Sequence, residues 1–365
     1  MKKFDDNNHS IFKGKSLLIE VYGASHSEKI GVKVKGFKKG QKFDKTLLQA
    51  FLDRRKPSAS SFSTTRVEGD KIVYAKGVKN DAFTGREFVA DIYNTNQRSR
   101  DYGERVILPR PSHADYVATV KYGDKFDHRG GGKFSGRLTA PMCIAGGICK
   151  QLLKEKGITV NAYIKSIGSV NGKGYFDVDV ENFDFSKTEN NFPLLDESVK
   201  EDMLNETTKA KEDLDSVGGT IECVIKGVPV GTGEYMFDSI ESVISHLVFA
   251  VPAVKGIEFG LGFDFSKSLG SFANDEFYFD NDVVKTKTNN NAGINGGIAN
   301  GMPITFRVVV KPTPSIAKKQ NTVNLESGKD DTLEIKGRHD ACIVPRAAVV
   351  IEAVTAIAIY DLLGV

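Results

Sequence analysis

Residues 126–139 read Phe126-Asp127-His128-Arg129-Gly130-Gly131-Gly132-Lys133-Phe134-Ser135-Gly136-Arg137-Leu138-Thr139, three consecutive glycines set among the cations Arg129, Lys133 and Arg137. Glycine tolerates backbone conformations in which successive N–H groups converge on a ligand at close range. The apolar run Ala140 to Leu153 that follows has the length of a helix, with a basic last turn and Gly157 as its stop. A basic glycine loop feeding a helix N-terminus suits an anion, the alternative being a plain basic turn. It is not a Walker loop, because Phe134 follows Lys133 where Ser or Thr is needed. Ser135 likewise occupies the place of the last glycine in a dinucleotide fingerprint.

Other groups could serve the same anion. The polar, aperiodic stretch 95–116 carries Arg98, Arg100, Arg105, Arg110 and His113, and loops of that length in compact domains usually have a function or lack order. Arg338-His339-Asp340 stand just before a helix expected over Ala347–Leu363, which pairs an anion-binding position with titratable groups. His26 lies in Gly23-Ala24-Ser25-His26-Ser27 at the end of a strand-like run, where catalytic side chains are often mounted. Arg54-Arg55-Lys56 crowd the last turn of a helix expected over Asp44–Arg55, where cations also suit the helix dipole. Lys311-Pro312-Thr313-Pro314-Ser315 places a cation and two hydroxyls on a rigid loop. The amide- and glycine-rich 289–301 segment could lie along a planar or phosphorylated ligand, or could simply be tight turns.

The elements that must position these groups follow from the hydrophobic pattern. Strands are expected over Ser16–Tyr22, Gly31–Phe37, Lys71–Gly77, Arg86–Asn94, Thr159–Val170, Gly218–Gly227, Gly256–Phe263 and Ile304–Val310. Further helices are expected over Glu197–Leu214 and Phe237–Val251, with His246 in the apolar company of the latter. Residues 171–196 look irregular and 1–15 polar and frayed. With no repeat and no linker, the reading is one α+β unit across residues 1–365. A chain of 365 residues can bury a large core, and 40% hydrophobic with 27% charged residues is ordinary for a globular protein. A net charge of +3 is too small to argue for nucleic acid. Cys143, Cys149, Cys223 and Cys342 form no Cys-x-x-Cys pair and read as reduced core residues, not as a disulfide frame or metal site. No signal-peptide core or membrane-length run appears, so the expectation is a cytoplasmic protein without a membrane partner.

Taken together, these stretches resemble the chorismate synthase family over nearly the whole chain. The family's Gly-Glu-Ser-His-Gly signature appears as Gly23-Ala24-Ser25-His26-Ser27, and its Asp-Arg-Arg-(Arg/Lys)-Pro motif as Asp53-Arg54-Arg55-Lys56-Pro57. Asn94-Thr95-Asn96-Gln97-Arg98-Ser99-Arg100-Asp101-Tyr102 and Arg110-Pro111-Ser112-His113-Ala114-Asp115-Tyr116 match two more. The glycine stretch with Ser135 and Arg137, Pro252-Ala253-Val254-Lys255-Gly256, Lys311–Ser315 and Arg338-His339-Asp340 follow in the family's order. The resemblance implies a sandwich of antiparallel β-sheets around a helical layer, assembled as a homotetramer. It also implies the anti 1,4-elimination of phosphate and a ring proton from 5-enolpyruvylshikimate 3-phosphate to give chorismate. Reduced FMN is needed without net redox change, and NADPH enters only as a source of reducing power.

By the same resemblance, Arg55, Arg129 and Arg137, with Arg110 and Arg338, hold the substrate's phosphate and carboxylates, for which bidentate guanidiniums are suited. His26 protonates the leaving phosphate, His113 acts on the reduced flavin, and Asp340 helps to deprotonate the flavin N5 position; near-neutral titration makes histidine apt for both proton roles. FMN contacts are expected from Lys133, Phe134, Ser135, Pro252, Ala253, Gly296, Lys311, Pro312, Thr313, Pro314, Ser315 and Arg338. No extra domain stands out, so an external flavin reductase is the expected partner. The chain departs from the family pattern at Ala24, Ser27, Ser112 and Phe134, and Ser61 stands where relatives commonly have an Arg, a contact that Arg66 could supply. Two rival readings remain at this level: another FMN-dependent enzyme acting on a phosphorylated substrate, such as an oxidoreductase, and an RNA-binding module using the 98–110 arginines.

Overall fold

Two five-stranded antiparallel sheets flank a pair of apolar helices in the computed structural model, which describes residues 9–56, 69–94, 106–335 and 340–364. Among these residues the helices are α1 Lys45–Asp53, α2 Asp115–Tyr122, α3 Thr139–Lys154, α4 Lys200–Glu212, α5 Ile240–Val248, α6 Gly270–Ala273 and α7 Val344–Leu363. The first sheet runs, in spatial order, His9–Lys13, Leu18–Tyr22, Lys29–Lys35, Phe88–Tyr93, Val73–Lys76. Alternation sends Ile19 and Val21 inward, and the register sets them opposite Val34 and Val32. Ile92, Ala90 and Phe88 continue the row across the next strand. α3 packs on that face.

All of α7 but Arg346 and Leu363 is buried, as befits a helix apolar on every side. It lies on α3 and on the second sheet, whose order is Val254–Phe259, Ile304–Val310, Gly219–Lys226, Thr159–Ile167, Val170–Asn171. A Cβ on Gly146 of α3 would fall 2.3 Å from the Ala353 carbonyl oxygen, so glycine there sets how closely α3 and α7 approach. One apolar core joins both sheets to α1, α3 and α7. The layered α+β sandwich expected from the sequence is the fold observed. All four cysteines are buried and unpaired.

Several local expectations change. His9–Lys13, expected to fray, pairs with Leu18–Tyr22 as an edge strand. The turn between them is held by Asp361 of α7, whose carboxylate accepts the N–H groups of Lys15 (2.8 Å), Ser16 (2.8 Å) and Leu17 (2.7 Å). The helix expected over Phe237–Val251 shortens to α5, because the Ser239 hydroxyl caps its start by accepting the Ser242 N–H at 3.1 Å. His246 is exposed in its last turn, edge-on to Phe12, instead of sitting in apolar company. Residues 171–196 fold into short 3-10 turns that press Tyr175, Val180 and Phe185 onto Tyr163 and Val224. The helix read from Glu197 begins with a 3-10 turn, Glu197–Val199, and α4 occupies Lys200–Glu212. The end of the polar 95–116 stretch enters α2 at Asp115.

Candidate active site

The triple glycine does not open directly onto α3. Gly130, Gly131 and Gly132 have φ of 59°, 85° and 54°, the left-handed region that side chains resist, and bend the chain into a 3-10 turn, Arg129–Phe134. A second 3-10 turn, Gly136–Leu138, intervenes before α3, and the Ser135 hydroxyl accepts the Arg137 N–H at 3.3 Å. The expected loop-to-helix anion cradle is therefore a compact bend whose value lies in what packs against it.

Both histidines pack against it. A Cβ on Gly130 would lie 2.9 Å from His26 Nε2 and 2.5 Å from Ser25 Oγ, and one on Gly131 would lie 3.6 Å from His113 Nε2. The Ser25 N–H donates to the Gly132 carbonyl at 3.1 Å and locks His26 to the loop. His26 is buried in a turn that departs from the family pattern yet closes itself: the Ser27 hydroxyl accepts the Ala24 N–H at 2.9 Å, and the Ser27 N–H donates to the Ala24 carbonyl at 3.1 Å. The Asn94 carboxamide donates to the Ser27 carbonyl at 2.7 Å and accepts from Arg137 Nε at 3.1 Å.

That last contact leads to the arginines. Arg137 and Arg55, both buried, meet on one carboxylate, Asp70, with Arg55 Nη2 at 2.7 Å from Oδ2 and Arg137 Nη1 on Oδ1. Burial alone would raise the Asp70 carboxyl, but the two guanidiniums overcome it and hold it below its ordinary value. The Arg55 carbonyl accepts from Arg346 Nε at 3.0 Å, and Arg346 Nη1 pairs with Asp340 Oδ2 at 2.5 Å. The Asp340 carbonyl in turn accepts the Thr313 hydroxyl at 3.0 Å, which brings the Lys311–Ser315 loop into the group.

The same loop reaches His113. Lys311 Nζ donates to the Ser112 carbonyl at 2.8 Å, and the Lys311 N–H donates to the Ala253 carbonyl at 2.9 Å, adding the Pro252-Ala253 bend. Burial, and after it the nearby Lys255, lower the Lys311 ammonium below its ordinary value. Arg110 Nη1 donates to Ser315 Oγ at 3.1 Å while its Nε and Nη2 grip Asp115 at 2.7 and 2.8 Å. Ser112, which replaces a glycine of the family pattern, sits at φ 57°.

Not every expected residue converges. Arg129 is paired bidentately with Asp127, at 2.8 Å for each bond, and its hydrogen bond holds the Asp127 carboxyl below its ordinary value. Lys133 Nζ lies 3.5 Å from the centre of the Tyr122 ring, and Phe134 packs edge-on to Phe126. Gly296 turns the hairpin Ile294–Asn295 to Ile298–Ala299, which is bonded to the start of α5 where the Ile240 N–H donates to the Gly297 carbonyl. Arg338, with Ser61, Arg66, Arg98, Arg100, Arg105 and His339, lies outside the described residues.

Sequence reasoning missed Asp70, Asp127, Asn94 and Arg346 as partners. Asp115 stood two residues from His113 in a quoted motif, a spacing that could have signalled it. For Asp70 there was no comparable signal.

The family model for chorismate synthase matches residues 17–363. The chain belongs to the chorismate synthase family. It is 45% identical to the chorismate synthase of Lachnoclostridium phytofermentans over 97% of this chain and 94% of that one. It is 43% identical to that of Thermococcus gammatolerans over 96% of each chain. With that of Dehalococcoides mccartyi it shares 41% over 96% of this chain and 95% of that one. A solved structure of a chorismate synthase superposes with a TM-score of 0.75 at 25% identity, covering 96% of this chain and 92% of that one. The chain is accordingly a carbon–oxygen lyase of aromatic amino acid biosynthesis that acts on a small molecule, eliminating phosphate from 5-enolpyruvylshikimate 3-phosphate to give chorismate. Among the described residues, no helix is long and apolar enough to cross a membrane.

Proposed function

We propose that the cluster centred on Gly130–Gly132 is the catalytic site, with reduced FMN as its cofactor. The observation that carries this reading is that His26 and His113 each set Nε2 against an adjacent glycine of one loop. The residues present fit a flavin phosphate. Lys311, Thr313 and Ser315 offer a cation and two hydroxyls on a loop bonded to Ser112, Asp340 and Arg110. When bound, reduced FMN supplies the electron density that makes loss of phosphate and a weakly acidic ring proton feasible.

The chain's own residues do the rest. Arg55 and Arg137, fixed on Asp70, hold the anionic groups of the substrate by charge-assisted hydrogen bonds. His26, shut in its turn by Ser27, gives a proton to the phosphate oxygen that leaves. His113 and Asp340 move protons on the cofactor side, and Asp340 is oriented there by Arg346. Ser135, Pro252, Ala253, Pro312 and Pro314 complete the proposed FMN contacts and Arg110 borders the substrate; for Lys133, Phe134, Gly296, Arg338 and Arg129 the proposal rests on the family motifs alone. Flavin reduction is left to an external reductase using NADPH, in the cytoplasm. Association into a homotetramer follows from the family resemblance, and the exposure of Phe237, Phe263, Leu269, Phe272 and Phe279 supports self-association.

The test is anaerobic turnover with photoreduced FMN and 5-enolpyruvylshikimate 3-phosphate, following chorismate absorbance and phosphate release together. Equal appearance of both products is expected, with His26→Ala slowing turnover about 10²–10⁴-fold, the usual weight of a positioned acid, and Asp340→Asn impairing it as well. Unimpaired turnover in His26→Ala would overturn the assignment of the site.

A further inference from the structure

Asp115 has no role in the scheme above, yet it is the most heavily engaged carboxylate beside His113. It is buried at the first position of α2. Its Oδ1 lies 2.7 Å from His113 Nδ1 and 2.8 Å from Arg110 Nη2; its Oδ2 accepts from Arg110 Nε at 2.7 Å and from the Arg110 N–H at 3.1 Å. Burial would raise its carboxyl, but the hydrogen bonds from Arg110 and His113 hold it well below the carboxylate range. An ionised carboxylate only accepts. The proton on the contacting imidazole nitrogen is therefore on Nδ1, and in the neutral ring Nε2, which faces Gly131, carries the lone pair.

We propose that Asp115 is a positioning residue for the reaction: it fixes the proton of His113 on Nδ1 and aims Nε2 at the glycine loop as the nitrogen that exchanges protons. The inference rests on the reading that His113 acts at this site. A carboxylate behind a histidine sets both tautomer and ring orientation; its loss costs about 10–100-fold behind a metal-bound histidine and about 10⁴-fold in a Ser-His-Asp triad. The competing role is purely structural, as an acid in the first turn of α2 that also holds Arg110.

A double-mutant cycle separates the two, read as anaerobic kcat and KM with reduced FMN and 5-enolpyruvylshikimate 3-phosphate. In Asp115→Asn the amide can donate to Nδ1 and shift the imidazole proton to Nε2. The expected result is a fall in kcat of about 10–100-fold with little change in KM, partly restored in Asp115→Glu. In a His113→Ala background the same substitution should have no further effect, while in an Arg110→Ala background its full effect should persist. An effect that adds to His113→Ala, or that disappears with Arg110→Ala, overturns the proposal, as does full activity in Asp115→Asn. Full activity in His113→Ala is a different failure: it removes the reading of the site and the proposal with it. Should Asp115→Asn not fold, ¹⁵N spectra of histidine-labelled wild-type protein decide. With the His113 signal assigned by its loss in His113→Ala, an Nδ1–H tautomer supports the proposal and an Nε2–H tautomer overturns it.

Discussion

Arg54 and Arg55 are neighbours in the chain and opposites in the fold. Arg54 turns into the core, where Nη2 meets Glu352 of α7 at 2.9 Å, and Lys150 of α3 contacts the same carboxylate. Glu189 pairs with Lys150 at 2.9 Å, so two cations there face two carboxylates. Arg55 turns the other way and shares one carboxylate, Asp70, with Arg137. Among the described residues Arg54 and Arg55 each leave Nε without a hydrogen-bond partner, so the difference lies in where their carboxylates stand. Glu352 and its cations hold the end of α1 to α3 and α7, whereas Asp70 fixes two guanidiniums beside the glycine loop, where we propose that they meet the substrate's anionic groups.

The sharpest way to break this contrast is to remove Glu352. Glu352→Ala takes the ion pair from buried Arg54 and leaves Lys150 with Glu189 alone among the described residues, and should cost about 3–5 kcal/mol of stability, read from urea denaturation. The protein that remains folded should bind substrate with unchanged KM. A shifted KM with unchanged stability would erase the distinction between the two arginines.

The converse substitution is Arg55→Lys, which keeps the charge and loses the planar fork. A charge-assisted hydrogen bond is worth about 1.5–3 kcal/mol, so kcat/KM should drop about 10–100-fold while urea denaturation stays close to wild type. A stability loss as large as that of Glu352→Ala would place Arg55 with the structural cluster.

Acid sharpens the comparison further. Asp70 and Asp115 are both held below the ordinary value of 3.8 in the folded protein. Their contribution to stability is thus fully present above that value, and is lost as pH falls from it through their depressed folded values. Urea midpoints measured from neutral pH downward should therefore decline in acid, and Asp115→Asn should flatten part of the decline.

The smallest effect concerns Ser112, whose φ of 57° lies in the left-handed region. Ser112→Gly should relieve strain of about 1–2 kcal/mol, less the added freedom of the unfolded chain, for a net gain of about 0.5–1 kcal/mol in thermal or urea unfolding. No gain would mean that the freedom the unfolded chain regains with glycine offsets the strain relieved.

How much of this was legible differs by element. The strand Ile304–Val310 matched its expected bounds, and α3 and α7 lay within three residues of theirs, because a long apolar pattern is a local property that core burial only reinforces. α5 ran long in the sequence reading because a single serine cap outweighs several apolar residues at a helix start. His26, His113 and the glycine loop were legible from residue type and motif order, and the fold brings them together.

What the sequence by itself determined was therefore the periodic core elements, the glycines that must take positive φ, and the inventory of arginines, histidines and hydroxyls. Only the tertiary structure decided which arginine pairs with Glu352 of α7 and which meets Asp70 beside Arg137. Arg54 finds its acid 298 positions away and Arg55 only 15 away, across a segment with no periodic signal. A guanidinium's role depends on the carboxylates around it and on how far water is excluded from them. Both are set when α1, α3 and α7 pack, and neither is a property of the residue or its sequence neighbours.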